Sequence, residues 1–133
     1  MRNLTLNQLV HFAHKTATEH GFWDDVEPGK ANDKDIVERL ALVGCEVAEA
    51  VESLRTDPTC RTEDENGGVV QLLAAGQLPD KTSGKPEGLA FELADVCIRV
   101  FDLCGELNID LDGAVALKMR HNETRPVRHG KRF

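Results

Sequence analysis

Two pairs of acidic residues stand three positions apart in two separate stretches of the chain. The first pair is Glu46 and Glu49, and the second is Glu92 and Asp95. Residues at i and i+3 share one face of a helix, so each pair presents two carboxylates on the same side. Clustered carboxylates repel one another unless a cation lies between them, and hard oxygen ligands suit Mg²⁺ or Mn²⁺. The spacing therefore predicts a divalent metal site, with solvated acids on amphipathic helices as the alternative.

Apolar periodicity predicts the helices that position these acids. Apolar residues recur at alternating spacings of four and three along 33–55 and 86–108, which is typical of helices in bundles. A first helix is predicted over 5–20, and a fourth begins near Asp110 or Asp112. Both acid pairs lie beside the apolar seam of their helix, so packing along the seams brings four carboxylates together. The seams are Ile36, Leu40, Val43, Val47, Ala50 and Leu54 in the second helix, and Leu89, Leu93, Val96, Val100, Leu103 and Leu107 in the third.

The fold class predicted from these segments is all-α, a bundle of four main helices in a single domain over residues 1–133. Residues 56–88 are rich in Gly, Pro, Thr, Asp and Glu, and they are predicted to form a long loop between helices two and three. A short helix over 69–75 fits within that loop. Residues 125–133 form a basic C-terminal tail.

Composition limits the classes of function. The net charge of −7 argues against a general nucleic-acid binder. No apolar run of about 18 residues occurs, and Met1–Val10 lack the apolar core of a signal peptide, so we expect no membrane span and a cytoplasmic protein. On the third helix, Ile98 and Phe101 lie opposite Val96 and Val100. This excess of apolar surface predicts a homodimer or a dimer of dimers.

The motifs resemble those of the MazG-like nucleotide pyrophosphohydrolases, in the all-α NTP pyrophosphatase superfamily. That superfamily carries E-x-x-E followed later by E-x-x-D, which is the pattern of the two acid pairs here. Residues 87–96 resemble the second motif with its flank, and 21–24 resemble the loop after the first helix. The resemblance covers nearly the whole chain. The residues that resemble the C-terminal signature of the shorter members are Lys118, Asn122, Arg125, Pro126, His129, Gly130 and Lys131.

The resemblance implies hydrolysis of a nucleoside triphosphate to the monophosphate and pyrophosphate, in house-cleaning of non-canonical or excess nucleotides. Glu46, Glu49, Glu92 and Asp95 would bind Mg²⁺, with Mn²⁺ as an alternative, and either Glu46 or Glu49 would take the proton of the attacking water. Two other functions remain open. One is a phosphoribosyl-ATP pyrophosphohydrolase-like enzyme, and the other is a non-catalytic helical interaction module.

The basic C-terminal end is predicted to bind the substrate's phosphates. Lys118, Asn122 and Arg125 are spaced four and three apart, so on a helix they form one polar stripe. Lys and Arg would hold phosphate oxygens, and Asn would bond phosphate or sugar. From the tail, His129 and Lys131 would close over the phosphates. A solvated stripe at a helix end is the alternative.

Two residues near the N-terminus are further candidates for substrate binding. Trp23 is the only tryptophan in a chain without tyrosine. It either stacks on the nucleobase or covers the core as a loop aromatic. His14, two turns along the first helix, either faces the same pocket or has a structural role.

Overall fold

The computed structural model describes residues 3–56, 62–63, 69–71 and 88–127. The prediction of an all-α fold with four main helices is confirmed, since two short strands are the only other regular elements in these ranges. The helices are α1 (Leu6–Glu19), α2 (Asp33–Thr56), α3 (Leu89–Glu106) and α4 (Leu111–Glu123), and the strands are β1 (Thr62–Glu63) and β2 (Val69–Gln71).

The segment between α2 and α3 contains extended chain where a short helix over 69–75 was predicted. β1 and β2 pair antiparallel, with Thr62 opposite Gln71. β2 begins with two consecutive valines, and β-branched side chains favour extended backbone over helix. The predicted helix is therefore wrong over its first three residues. Apart from the two strands and its end residues, the predicted loop over 56–88 lies outside the described residues.

Contacts divide the chain into two units. Unit 1 comprises Met1–Ala31 and Phe101–Phe133, and unit 2 comprises Asn32–Val100. Unit 1 thus contains α1, α4 and the end of α3, while unit 2 contains α2 and the first part of α3. No described helix is long and apolar enough to cross a bilayer. A single domain over 1–133 stays a prediction. The buried apolar side chains of the described part are Val10, Trp23, Leu103 and Cys104 in unit 1 and Ala50 in unit 2.

In unit 1 the N-termini of α1 and α4 cap each other. The Asp112 carboxylate accepts hydrogen bonds from the backbone N–H groups of Leu6 (3.0 Å) and Asn7 (3.2 Å). In return, Asn7 Oδ1 accepts from the N–H groups of Leu111 (2.9 Å) and Asp112 (3.2 Å). Asn7 Nδ2 also donates to Asp110 Oδ1 at 2.8 Å. Each helix therefore satisfies first-turn N–H groups of the other, which would otherwise lack partners.

We expect Asn7→Ala to raise the pKa of Asp110 toward its ordinary value. The hydrogen bond from the Asn7 side chain, followed by the backbone N–H of Gly113, lowers the pKa of Asp110. Because folding lowers this pKa, the ionised carboxylate stabilises the fold above its unfolded-state pKa. That contribution disappears as the pH falls through the lowered pKa. An NMR titration of Asp110 in both proteins measures the change, and equal pKa values in the two would contradict it.

α2 leaves half of its predicted apolar seam outside the core. Leu40, Val47 and Leu54 are 54%, 48% and 40% exposed. The Glu46 side chain is only 12% exposed and accepts a hydrogen bond from Arg99 on α3. The side of α2 that carries the acid therefore faces α3, and this orientation turns the three aliphatic side chains outward. The prediction that α2 packs along its whole seam is wrong for these positions.

Candidate functional site

Three of the four acids predicted to bind metal come together in unit 2. Glu46 on α2, together with Glu92 and Asp95 on α3, each place one carboxylate oxygen within 4.8 Å of the other two. Within the described ranges, no other group of three or more His, Cys, Asp or Glu side chains converges in this way. Glu49, the fourth predicted ligand, is outside the group and exposed. We call these three residues the carboxylate cluster.

Arg99 links the two helices that carry the carboxylate cluster. Its Nε donates to Glu46 Oε1 at 2.8 Å, and the two side chains are 31% and 12% exposed. A charge-assisted bond of this kind holds the Glu46 carboxylate toward α3. The guanidinium also offsets part of the repulsion among the three carboxylates. On α3 the spacings of three and four from Glu92 to Asp95 to Arg99 place all three on one face.

Gly88 sets the start of α3 and thereby the position of Glu92. The φ of Gly88 is 116°, in a region that residues with a Cβ rarely adopt. Its carbonyl accepts from the N–H groups of Phe91 (2.9 Å) and Glu92 (3.0 Å). Glu92 consequently lies in the first turn of α3. The positive end of the helix dipole favours an acid there.

The carboxylate cluster fits a small divalent cation. Mg²⁺ binds oxygen at about 2.0–2.1 Å in an octahedron, so opposite ligands lie about 4.2 Å apart. Of three ligands at most one pair can be opposite, and adjacent ligands lie about 3 Å apart. The three oxygens, all within 4.8 Å of one another, can therefore reach one ion by rotation of their side chains. Mg²⁺ in nucleotide sites usually takes only one or two carboxylates and completes its shell with water and phosphate oxygens. The three residues therefore suffice without Glu49.

A second cluster of ionisable side chains lies in unit 1, around Asp102. Asp102 Oδ1 accepts from Trp23 Nε1 at 2.8 Å and lies 2.9 Å from His14 Nδ1. An ionised carboxylate only accepts, so Nδ1 is the protonated ring nitrogen in this pairing. Glu106 Oε2 lies 3.5 Å from His14 Nε2, and its Oε1 accepts from the N–H of Ala31 at 3.2 Å. Both acids are buried, each 6% exposed.

Sequence reasoning missed Asp102 and Glu106. They stand four apart near the end of α3, so they share a face. Acids in the last turns of a helix are disfavoured by the negative end of its dipole. Asp102 and Glu106 both lie near that end, and the last turn of α3 contains no basic residue. Their presence therefore indicates that contacts outside the helix stabilise the two acids. That signal is readable in the sequence, although it does not identify the partners.

Two predicted substrate-binding residues, His14 and Trp23, meet in this second cluster. Their rings are 5.7 Å apart between centroids and lie edge to face. Trp23 is 5% exposed, which matches the alternative that it covers the core. The His14 side chain is 24% exposed and pairs with Asp102, as a structural histidine would. Stacking of Trp23 on a nucleobase stays a prediction.

His14 also lines a cleft of about 690 Å³ in unit 1. The cleft lies between α1 and the end of α3, where a Cβ at Gly105 would overlap the Cβ of His14. The absence of a side chain at Gly105 therefore permits the close approach of the two helices. A cleft of this volume accommodates a nucleoside-sized molecule. Its polar lining includes Asn7, His11, His14, Lys15, Asn108 and Asp110.

The predicted phosphate-binding residues in the described range are exposed. Lys118 and Asn122 lie four apart on α4 and share a face. α4 ends two residues before Arg125, whose N–H donates to the carbonyl of Asn122 at 3.2 Å in the following turn. Arg125 therefore lies beyond the end of α4, and only Lys118 and Asn122 of the predicted stripe are on the helix. His129 and Lys131 lie outside the described residues.

Comparisons with protein-family models, with curated proteins and with solved structures each returned no match. The resemblance to the MazG-like pyrophosphohydrolases therefore rests on the motifs of the sequence. The structural feature that bears on this resemblance is the carboxylate cluster, which contains three of the four acids of the two motifs.

Proposed function

We propose that this chain is a magnesium-dependent nucleoside triphosphate pyrophosphohydrolase, which converts a (deoxy)nucleoside triphosphate to the monophosphate and pyrophosphate. The observation that carries the proposal is the convergence of Glu46, Glu92 and Asp95, with carboxylate oxygens within 4.8 Å of one another. The E-x-x-E and E-x-x-D motifs supply these residues and point to phosphate-anhydride chemistry. We further propose a cytoplasmic location and a house-cleaning role toward non-canonical or excess nucleotides.

The three clustered carboxylates would hold Mg²⁺, with Mn²⁺ as a substitute of similar ligand preference. When bound, the ion would neutralise charge on the phosphate oxygens and make the phosphorus a better electrophile. Arg99 keeps the Glu46 carboxylate in place through its 2.8 Å hydrogen bond. Glu46 thus has one carboxylate oxygen engaged by Arg99 and is itself a member of the carboxylate cluster.

Glu49 is therefore our candidate for the general base. It lies on α2 three residues after Glu46, outside the carboxylate cluster and exposed. Glu49 has no ligand role in the carboxylate cluster, and the Arg99 guanidinium is paired with Glu46 and not with Glu49. An acid one turn from the cluster can orient and deprotonate a water directed at the phosphorus. Glu46 remains the other candidate named by the resemblance.

For substrate binding we propose that Lys118, Asn122 and Arg125 hold the triphosphate, with His129 and Lys131 from the tail. The chain has a net charge of −7, so an anionic substrate needs local cations beyond a bound metal. Exposed Lys and Arg side chains are free to reorganise around phosphate oxygens.

The cleft beside His14 is the proposed place for the nucleoside. His14 lines it and is partly exposed, so it can contact base or sugar. Trp23, buried beside His14, would act by holding that histidine in position.

We expect Arg125→Ala to raise KM or lower kcat/KM by roughly 1.5–3 kcal/mol, the usual contribution of a charged hydrogen bond. The penalty should be the same for every base, because phosphate is common to all substrates. Steady-state kinetics on several triphosphates measure it. Arg120→Ala is the matched control, since Arg120 is an exposed arginine on α4 outside the proposed set. A change of base preference without a change in pyrophosphate affinity would contradict the assignment.

The proposal is tested with a panel of deoxy, ribo, uracil and damaged-base triphosphates, each with Mg²⁺ or with excess chelator. We expect pyrophosphate and monophosphate in equal amounts, and only with the metal. Phosphoribosyl-ATP belongs in the panel, because its exclusive turnover would replace our proposal with a phosphoribosyl-ATP pyrophosphohydrolase-like enzyme. Absence of turnover of all of these, with the metal bound, would favour a non-catalytic helical module.

A further inference from the structure

The outward side of α2 carries an unbroken stripe of aliphatic and small residues. At roughly 100° per residue, these positions cover an arc of about 140° around the helix. Five of the side chains are large and between 40% and 63% exposed. Exposed apolar surface of this extent marks an interaction site. The residues, which we call the α2 stripe, are Val37, Leu40, Ala41, Gly44, Val47, Ala48, Val51 and Leu54.

Charged residues on this arc of α2 occur only at its two ends. Asp33 stands at the N-terminal end and Arg55 at the C-terminal end, and both are exposed. Each lies eleven positions from Gly44. A Cβ built on Gly44 meets no atom of the chain within 4 Å, so the middle of the stripe is open.

The α2 stripe is self-complementary when it is read in opposite directions from Gly44. Positions equally distant from Gly44 pair Asp33 with Arg55, which have opposite charges. Among the apolar positions nearer to Gly44, leucine or valine pairs with alanine or valine, whereas Leu54 at the edge of the arc pairs with Lys34. The other pairs are Val37 with Val51, Leu40 with Ala48, and Ala41 with Val47.

We propose that the α2 stripe binds the α2 stripe of a second copy of this chain, antiparallel, with a two-fold axis at Gly44. Such an interface uses one patch on both copies and closes on itself. Glycine at the crossing point, and alanine opposite leucine and valine, let the two helices approach closely while their larger side chains fill the seam. The ends are joined by Asp33 of each copy and Arg55 of the partner subunit.

Charge selects this arrangement over parallel pairing in the same register. A parallel pair would place the two Asp33 carboxylates together and the two Arg55 guanidinium groups together. Like charges across an interface disfavour the wrong alignment. The interface does not depend on the proposed catalytic activity, since no residue of the α2 stripe belongs to the carboxylate cluster.

Sedimentation equilibrium of the full chain tests the surface. We expect a dimer in the wild type and at least a tenfold higher dissociation constant in Leu40→Glu. The matched control is Leu117→Glu, because Leu117 is a 66% exposed leucine on α4. Its dissociation constant should equal that of the wild type. Since Leu40 is already exposed in the single chain, both variants should keep the far-UV circular dichroism of the wild type.

Disulfide cross-linking tests the antiparallel register. Val37→Cys and Val51→Cys are made separately in a background where Cys45, Cys60 and Cys97 are Ser, and are then mixed under oxidation. We expect a mixed disulfide dimer and little cross-linking of either variant alone. In the proposed pair, two copies of residue 37 lie fourteen residues, about 21 Å, apart, beyond the reach of a disulfide. A monomeric wild type, an unaffected Leu40→Glu, or cross-linking of each variant alone would overturn the proposal.

Discussion

Asp95→Asn should lower kcat on the best triphosphate substrate at least a hundredfold, equivalent to about 2.7 kcal/mol in the activation barrier. Asp95 supplies one of three carboxylate oxygens that lie within 4.8 Å of one another, and an amide oxygen carries no charge to hold a cation among them. The Mg²⁺ concentration for half-maximal rate should rise as well, because the variant loses a ligand. Steady-state kinetics over a range of Mg²⁺ concentrations measure both effects.

Glu49→Gln should lose at least as much turnover, but for a different reason. Glu49 is the candidate base and lies outside the carboxylate cluster. Its replacement should therefore leave the Mg²⁺ concentration for half-maximal rate near that of the wild type. Glu52→Gln is the control, since Glu52 is an exposed acid of α2 whose described partner is Arg55. All three variants should keep native helix content. Full activity in excess chelator or in Asp95→Asn would remove the metal assignment, and full activity in Glu49→Gln would remove the assignment of the base.

Asp102→Leu should lower the free energy of unfolding by about 3 kcal/mol. That is the cost of leaving the donors that now bind this buried carboxylate without an acceptor. The Asp102 carboxylate is buried and accepts from Trp23 at 2.8 Å and from His14 at 2.9 Å. Leucine has the same number and branching of side-chain heavy atoms as aspartate, so the substitution creates no cavity and the loss reports the missing acceptor. Urea denaturation followed by circular dichroism measures it.

Two further variants separate the hydrogen bonds of Asp102 from its packing. Asp102→Asn keeps an oxygen that can accept from Trp23, so its loss of stability should be clearly smaller. Trp23→Phe removes the donor, so combining it with Asp102→Leu should cost less than the two single losses added together. Wild-type stability in Asp102→Leu, or simple additivity in the double variant, would show that the pairing contributes nothing to the fold.

The helices were predictable because their signals are local. Apolar spacing predicted α1, α2, α3 and α4 with ends displaced by at most about three residues from those observed, within the usual uncertainty of helix ends. Asp110 was one of two predicted caps for α4, and it does accept from the N–H of Gly113. The other, Asp112, caps α1 instead. The partner of that cap is more than a hundred residues away in sequence, so spacing along the chain could not reveal it.

The face that α2 turns inward was not predictable from periodicity. Its acids lie beside its apolar seam around the helix, and hydrophobicity alone assigns the seam to the core. The Arg99 hydrogen bond to Glu46 favours a rotation that brings the acid toward α3 and leaves Leu40 and Val47 exposed. That choice leaves Glu49 outside the carboxylate cluster, although its spacing is equivalent to that of Asp95.

By itself, the sequence determined the all-α class and the two helices that carry paired acids, because i to i+3 geometry is a property of any helix. Tertiary structure decided which acids meet, since the convergence of Glu46 with Glu92 and Asp95 requires two distant segments to lie side by side. It likewise placed His14 and Trp23 on Asp102 across separations of 88 and 79 positions. Contacts between residues so far apart depend on how whole helices pack, and local patterning contains no information about their partners.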